Sequence, residues 1–267
     1  MRLLIAAFAL AAAQASAPVV WDGAATQGGL LRGTVRGDVV ALRLRSGTQE
    51  TPAALSGGRF MVGLDRDAPA TGSLVATLRD GTEVEAPLAV AARAWRIERV
   101  NAPYRPPRFD ARRPAELARI AAARAQGTDA TGWLEPIRWP LVGHIRGLFG
   151  AQRIYQGVPG GYHGGIDIAA PAGAVVRAPA AGRVTLAADP PFTLEGRLLL
   201  IDHGGGLGSA LMHLSRIDVT EGQQVAAGQP VGAVGATGRA TGPHLHWGLT
   251  WRGARLDPLL AAGPPPG

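Results

Sequence analysis

The chain has 267 residues, 46% hydrophobic and 18% charged, which suits one or two globular domains with real cores and excludes a disordered or fibrous polymer. It has no cysteine, so disulfides, thiolate metal sites and a lipidated N-terminal cysteine are excluded, and any metal must be held by histidine and carboxylate. The net charge of +7 is carried by arginine alone, since there is no lysine. Such a charge draws anionic polymers, while no aromatic–basic interleaving or recognition-helix pattern points to nucleic acid.

In chain order, the first 17 residues read "MRLLIAAFALAAAQASA": one arginine, an apolar run, then small residues. The run is too short to span a bilayer and has the tripartite form of an export signal. Small-x-small sites end at Ala15 and Ala17, and the first is preferred because Pro18 follows the second directly. No later apolar run is long enough for a membrane helix, so the mature chain is expected to be exported, periplasmic or secreted, with no membrane span. An uncleaved N-terminal anchor is the competing reading.

Residues 18–100 alternate apolar stretches with turn residues, as in "GDVVALRLRSG" and "GRFMVGLD". Val40, Leu42 and Leu44 alternate with Ala41 and Arg43, the period of a half-buried strand. This predicts a small N-terminal β-sandwich. It holds no histidine and no clustered carboxylates. Residues 101–135 read as a linker with a Pro-rich start and a short helix over "PAELARIAAARA". Pro114 sits in its first turn, and Leu117, Ile120, Ala121 and Arg124 follow at helical spacing.

Residues 136–262 return to short strands and glycine turns, an all-β domain that contains all six histidines. "VVRAPAAGRVTLA" and "QQVAAGQPVGAVG" share a pattern that suggests two similar hairpins. His244 and His246, in "TGPHLHWGL", stand two apart on a strand and face one side, with Cα atoms about 6.5 Å apart. In "HGGID", His163 and Asp167 would lie about 13 Å apart if extended, too far to share an ion. Gly164 and Gly165 can fold the chain between them.

Two imidazoles and a carboxylate then make a three-ligand set with an open fourth position, the layout of a catalytic zinc site. Nitrogen donors favour zinc over magnesium or calcium, and ligand type alone leaves iron possible. No H-E-x-x-H helix supplies a glutamate base. The candidate proton shuttle is His213 in "LMHLS", partnered by His244. Which histidine of H-x-H takes the metal is open on spacing alone. His144 and His203 read as hydrogen-bonded structural residues.

The segments "HGGIDIAAPAGAVVRAPAAGRV" and "LMHLSRIDVTEGQQVAAGQPVGAVGATGRATGPHLHWGL" resemble the lysostaphin/LytM-type zinc metallopeptidases, which cleave peptide cross-links of bacterial peptidoglycan. The likeness covers roughly residues 139–260. The upstream "WRIERVN", the linker helix and "GLFGAQRIYQG" resemble exported members with an N-terminal β domain. The resemblance implies a mainly β chain whose lysostaphin-type domain is a duplicated-hybrid-motif-like β-sheet fold. It implies one zinc held by His163, Asp167 and His246, and His213 and His244 as the catalytic pair. Peptidoglycan peptides become the expected partner of a monomeric chain, with carboxylates that suit its basic charge. Many members carry Tyr two residues before the H-L-S histidine, where this chain has Leu211. Tyr162, beside His163, could supply an aromatic or hydroxyl instead.

Trp247 and the "GATGRATGP" loop are expected to border the peptide groove, with the loop glycines letting substrate approach and Arg239 meeting a stem-peptide carboxylate. Three other readings compete. A catalytically silent scaffold or activator of another wall hydrolase would normally lack metal or catalytic residues, and all five positions are intact. A biotinyl- or lipoyl-type carrier would need a lysine amine, which the chain lacks. A wall-binding module would use Trp21 and Trp95 as sugar platforms, although buried core is the commoner fate of such rings.

Overall fold

The computed structural model describes residues 18–106 and 110–266, so the export-signal segment 1–17 lies outside the described residues. The chain is mainly β and divides into two compact units, residues 1–93 and 94–267.

The first unit contains two four-stranded antiparallel sheets. One is built on Leu30–Val35 and Arg59–Gly63, the other on Val39–Ser46 and Thr71–Leu78. Leu42 and Leu44 are buried, as their alternation predicts, whereas Val40 is half exposed. The register shifts between Val39 and Ala41, and this irregularity breaks the alternation at Val40. The stretch Ile97–Val100, which the sequence runs on from this domain, belongs to the second unit. There it pairs in parallel with Gln152–Tyr155.

The second unit is organised on an eight-stranded sheet. Its central strands are Ile166–Ala169, Leu245–Trp251, Leu207–Leu214, Arg197–Asp202 and Gly182–Ala187. Their near-continuous apolar runs, such as "RLLLID" and "LHWGLTW", fit strands buried on both faces. The two similar phrases are not two hairpins. Val175–Arg177 of the first pairs with Pro230–Ala233 of the second, and Gly182–Ala187 with Gln224–Val225. Each phrase thus splits between two sheets and takes its partner strands from the other.

The helix spans Arg113–Ala125 with proline in its first turn, as expected, but its buried face differs. Glu116, Ile120 and Ala123 are buried, and Leu117 is 48% exposed. The reason is polar. Glu116 accepts the Thr193 N–H at 2.8 Å and its hydroxyl at 2.6 Å, so a carboxylate with partners takes the place of an apolar side chain. Ile120 and Ala123 pack with Leu186, Leu198, Leu200 and Ala210 of the main sheet and with Ala188 and Phe192 of the loop beside it.

Candidate metal centre and catalytic groove

Asp167 pairs with His246, and His246 pairs with Met212, across three adjacent strands. This row lies on the groove face of the sheet. The next row, Ile166–Trp247–Leu211, falls on the opposite face by the two-residue period, and all three side chains are fully buried. Trp247 therefore does not border a groove, contrary to the expectation. Its ring packs edge-on against Trp139 at 5.6 Å, and its indole nitrogen is buried with no partner among the described residues. Leu211 sits in the same layer, so a hydroxyl there would face the core.

His163 arrives from the loop before Ile166–Ala169. Its backbone N–H donates to the Ala151 carbonyl and its own carbonyl accepts from Gly150. Of the two following glycines, Gly165 is the one the packing requires, though not for left-handed backbone, which neither adopts. A Cβ on Gly165 would stand 2.3 Å from the Trp247 carbonyl oxygen and 2.8 Å from His246 Nε2. Close approach is the function of Gly165 here.

The donor atoms form a nearly equilateral triangle. His163 Nε2 is 3.1 Å from Asp167 Oδ1 and 3.0 Å from His246 Nδ1, and His246 Nδ1 is 3.0 Å from Asp167 Oδ1. A tetrahedral ion with bonds of roughly 2 Å wants ligand atoms about 3.3 Å apart, so the set fits a zinc-sized cation. The chemistry agrees. His163 Nδ1–H donates to the Leu148 carbonyl at 3.0 Å, which leaves the Nε2 lone pair facing a carboxylate and a second imidazole. Acceptors converging in this way call for a positive charge between them.

The titration directions express the same pull. Burial works against the charge on Asp167, but the adjoining His163 and His246 rings, in their protonated forms, outweigh it and hold the carboxyl far below the usual range. Burial also opposes charge on His163, yet the Asp167 carboxylate raises its pKa. For His246, burial dominates and lowers the pKa.

His213 and His244 stand beside this triangle with ring centroids 4.8 Å apart. His213 Nδ1–H donates to the Thr237 carbonyl at 2.9 Å and His244 Nδ1–H to the Gly242 carbonyl at 2.8 Å. In the neutral form of each ring, these bonds place the lone pair on Nε2. His244 Nε2 lies 3.9 Å from Asp167 Oδ1. His213 is almost buried, and that burial lowers its pKa and favours the neutral base. It also holds a backbone φ of 65°, a left-handed conformation unusual for a side chain of this size.

The five histidine and aspartate positions line one groove of ≈ 730 Å³. Helix residues Arg113, Leu117 and Arg124 also line it, as do Met212, Arg239 and Arg255. Arg239 is exposed at its rim. Sequence reasoning did not place Arg113, Leu117, Arg124 or Arg255 at the groove: helical spacing groups Leu117 with Arg124 without saying what that face meets, and an isolated arginine carries no spacing signal. Of the loop glycines, Gly238 departs from the expectation: a Cβ there would strike the backbone of Gly196 and Leu194, so that residue serves packing against a neighbouring loop, whereas a Cβ on Gly242 would meet nothing within 4 Å. Tyr162 is in the groove, with the Arg255 guanidinium 5.1 Å from its ring centre. His144 is exposed on a strand. His203 is fully buried, with the Ala181 carbonyl 3.0 Å from Nδ1 and the Ser209 hydroxyl 2.6 Å from Nε2. Trp95 packs edge-on against Phe149.

The sequence profile of peptidase family M23 matches residues 161–258. Peptidoglycan DD-endopeptidase ShyA of Vibrio cholerae is 39% identical over 99 residues, 37% of this chain and 23% of its own length. DD-carboxypeptidase/endopeptidase Mpg of Neisseria meningitidis serogroup B is 40% identical over 104 residues, 39% of this chain and 24% of its own. The chain thus spans about a quarter of these curated relatives. A crystal structure from Pseudomonas aeruginosa, of a protein placed in M23, aligns over 90% of this chain and 96% of its own, with TM-score 0.69 and 29% identity. With the His-Asp-His triangle inside the matched segment, the chain is a member of peptidase family M23 through its residues 161–258.

Proposed function

We propose that the protein is a zinc-dependent endopeptidase of the cell envelope, exported to the periplasm or beyond, that hydrolyses peptide bonds in peptidoglycan stem peptides or cross-links. The observation that carries this reading is the triangle of His163, Asp167 and His246 with two further imidazoles, His213 and His244, set beside it and each oriented through Nδ1 by a backbone carbonyl. His163, Asp167 and His246 hold the ion. When bound, it supplies Lewis-acid polarisation of a carbonyl and a water made acidic enough to act near neutral pH.

The chain's own residues do the rest. His213, kept neutral by burial and oriented by Thr237, accepts the proton released when water attacks. His244, oriented by Gly242, turns its Nε2 to the same space and shares proton transfer and stabilisation of the developing oxyanion. Arg239, at the rim, meets a carboxylate of the peptide. The Arg113–Ala125 helix walls the groove and narrows the water-filled space around the scissile bond.

A silent scaffold is disfavoured, because such a protein has no need of two oriented catalytic imidazoles beside an intact ligand set. Digestion of defined muropeptides with and without chelator, with products identified by mass, tests the reading. Chelator-sensitive cleavage at one peptide bond is expected, and His213→Ala should abolish turnover with zinc stoichiometry unchanged. Binding of peptidoglycan without any cleavage by zinc-loaded protein would overturn it.

A further inference from the structure

A second cavity of ≈ 870 Å³ meets the metal centre at His163 and Asp167 and shares Gly161, Tyr162 and Arg239 with the catalytic groove. Most of its wall comes from residues ahead of 161, outside the segment matched by the family profile. The parallel pairing of Ile97–Val100 with Gln152–Tyr155 builds this wall and sets Glu98 opposite Arg153.

Five arginines line the space, Arg96, Arg105, Arg146, Arg153 and Arg239, against two carboxylates, Glu98 and Asp167. Both carboxylates are already engaged. Glu98 accepts Arg153 Nε at 2.8 Å, and Asp167 faces the two ligand imidazoles. The other four guanidinium groups have no carboxylate partner among the described residues. Four like charges around one concave space raise its potential, and an anion placed there recovers that energy. The planar fork of each guanidinium matches a carboxylate, and the tilted pair Tyr104 and Tyr155, 5.7 Å apart, adds flat apolar wall.

We propose that this basin is a carboxylate-binding subsite, which grips the acidic groups of the peptide on the His163 side of the scissile bond. The proposal rests on the hydrolase reading above and names the part of the substrate that reading leaves open. Continuity decides the occupant. A ligand that reaches the metal centre and the basin together is the substrate, and the anionic groups a peptide carries are carboxylates. Arg96, Arg105 and Arg146 are specificity residues of the reaction, and Arg239 bridges the two cavities.

The test compares two synthetic muropeptides that differ only in whether their free carboxylates are left as acids or converted to amides. The zinc-loaded full chain should cleave the acid with the lower KM. Replacing Arg96 and Arg146 together by Gln should shrink that preference by about tenfold, through KM rather than kcat. Arg216→Gln, which removes a guanidinium paired with Asp218 outside both cavities, should retain the wild-type preference. Equal cleavage of acid and amide by the wild type, or an unchanged preference in the double variant, overturns the proposal and leaves the hydrolase reading standing. Binding of the two peptides to chelator-stripped protein separates the two ideas. Arginine-dependent binding of the acid supports the basin even where no cleavage occurs, and loss of all discrimination in that assay sinks it.

Discussion

Glu195 holds both sides of the catalytic groove. Its carboxylate accepts two nitrogens of the helix residue Arg113, at 2.6 and 2.8 Å, while its carbonyl accepts the backbone N–H of His213 at 2.9 Å. The helix, which lies outside the matched peptidase segment, is therefore tied through one residue to the strained backbone of the candidate proton shuttle.

This tie predicts that Arg113→Ala lowers kcat several-fold and leaves zinc content unchanged. The pair is mostly shielded from solvent, so its loss should also cost about 1–3 kcal/mol of stability. Steady-state kinetics with metal analysis checks both parts. Wild-type kcat in the variant would show that the helix only fills space.

Glu116 gives the same helix a pH dependence. Burial alone would raise its carboxyl pKa, but hydrogen bonds from Thr193 and Arg113 hold it below the ordinary value. A depressed carboxyl pKa contributes stability that is complete above the unfolded-state value near 4.5 and is lost as pH falls through the folded value. Wild type should thus lose more stability than Glu116→Gln between neutral pH and the acid range. Denaturant unfolding at several pH values measures the difference, and parallel curves would refute the assignment.

Gly165→Ala is expected to be severe. Its Cβ would meet the Trp247 carbonyl at 2.3 Å in the adjoining strand, and His246 Nε2 at 2.8 Å. We expect a loss of at least ~2 kcal/mol in stability together with weakened zinc binding, since relief of the overlap moves either a backbone pair or a ligand. Calorimetric titration of zinc into the variant is the direct measurement.

Trp247→Phe should do the opposite of what a groove residue would. The indole is fully buried, and its nitrogen has no partner to lose. Stability should fall by about 1–2 kcal/mol through lost packing against Trp139, with KM unchanged. A raised KM with unaltered stability would restore the residue to the substrate side.

By itself the sequence narrowed the candidate donors, while the order within H-x-H came only from the family resemblance. In a chain without cysteine, histidine and carboxylate are the available metal donors, and the spacings H-x(3)-D, H-L-S and H-x-H marked five candidate side chains. It also determined that strands dominate, and where the helix lies, because short periods and a first-turn proline act over a few residues. Tertiary structure decided which side chains face each other. A two-residue strand period names two faces without saying which is the groove, so Trp247 fell on the buried side only once Leu245–Trp251 was seen between its neighbours. The buried face of the helix followed Glu116 and its Thr193 partner, 77 residues away, a polar pairing no periodicity records. The arginine basin was equally hidden, because like charges scattered from Arg96 to Arg239 acquire a common field only when the fold brings them around one space.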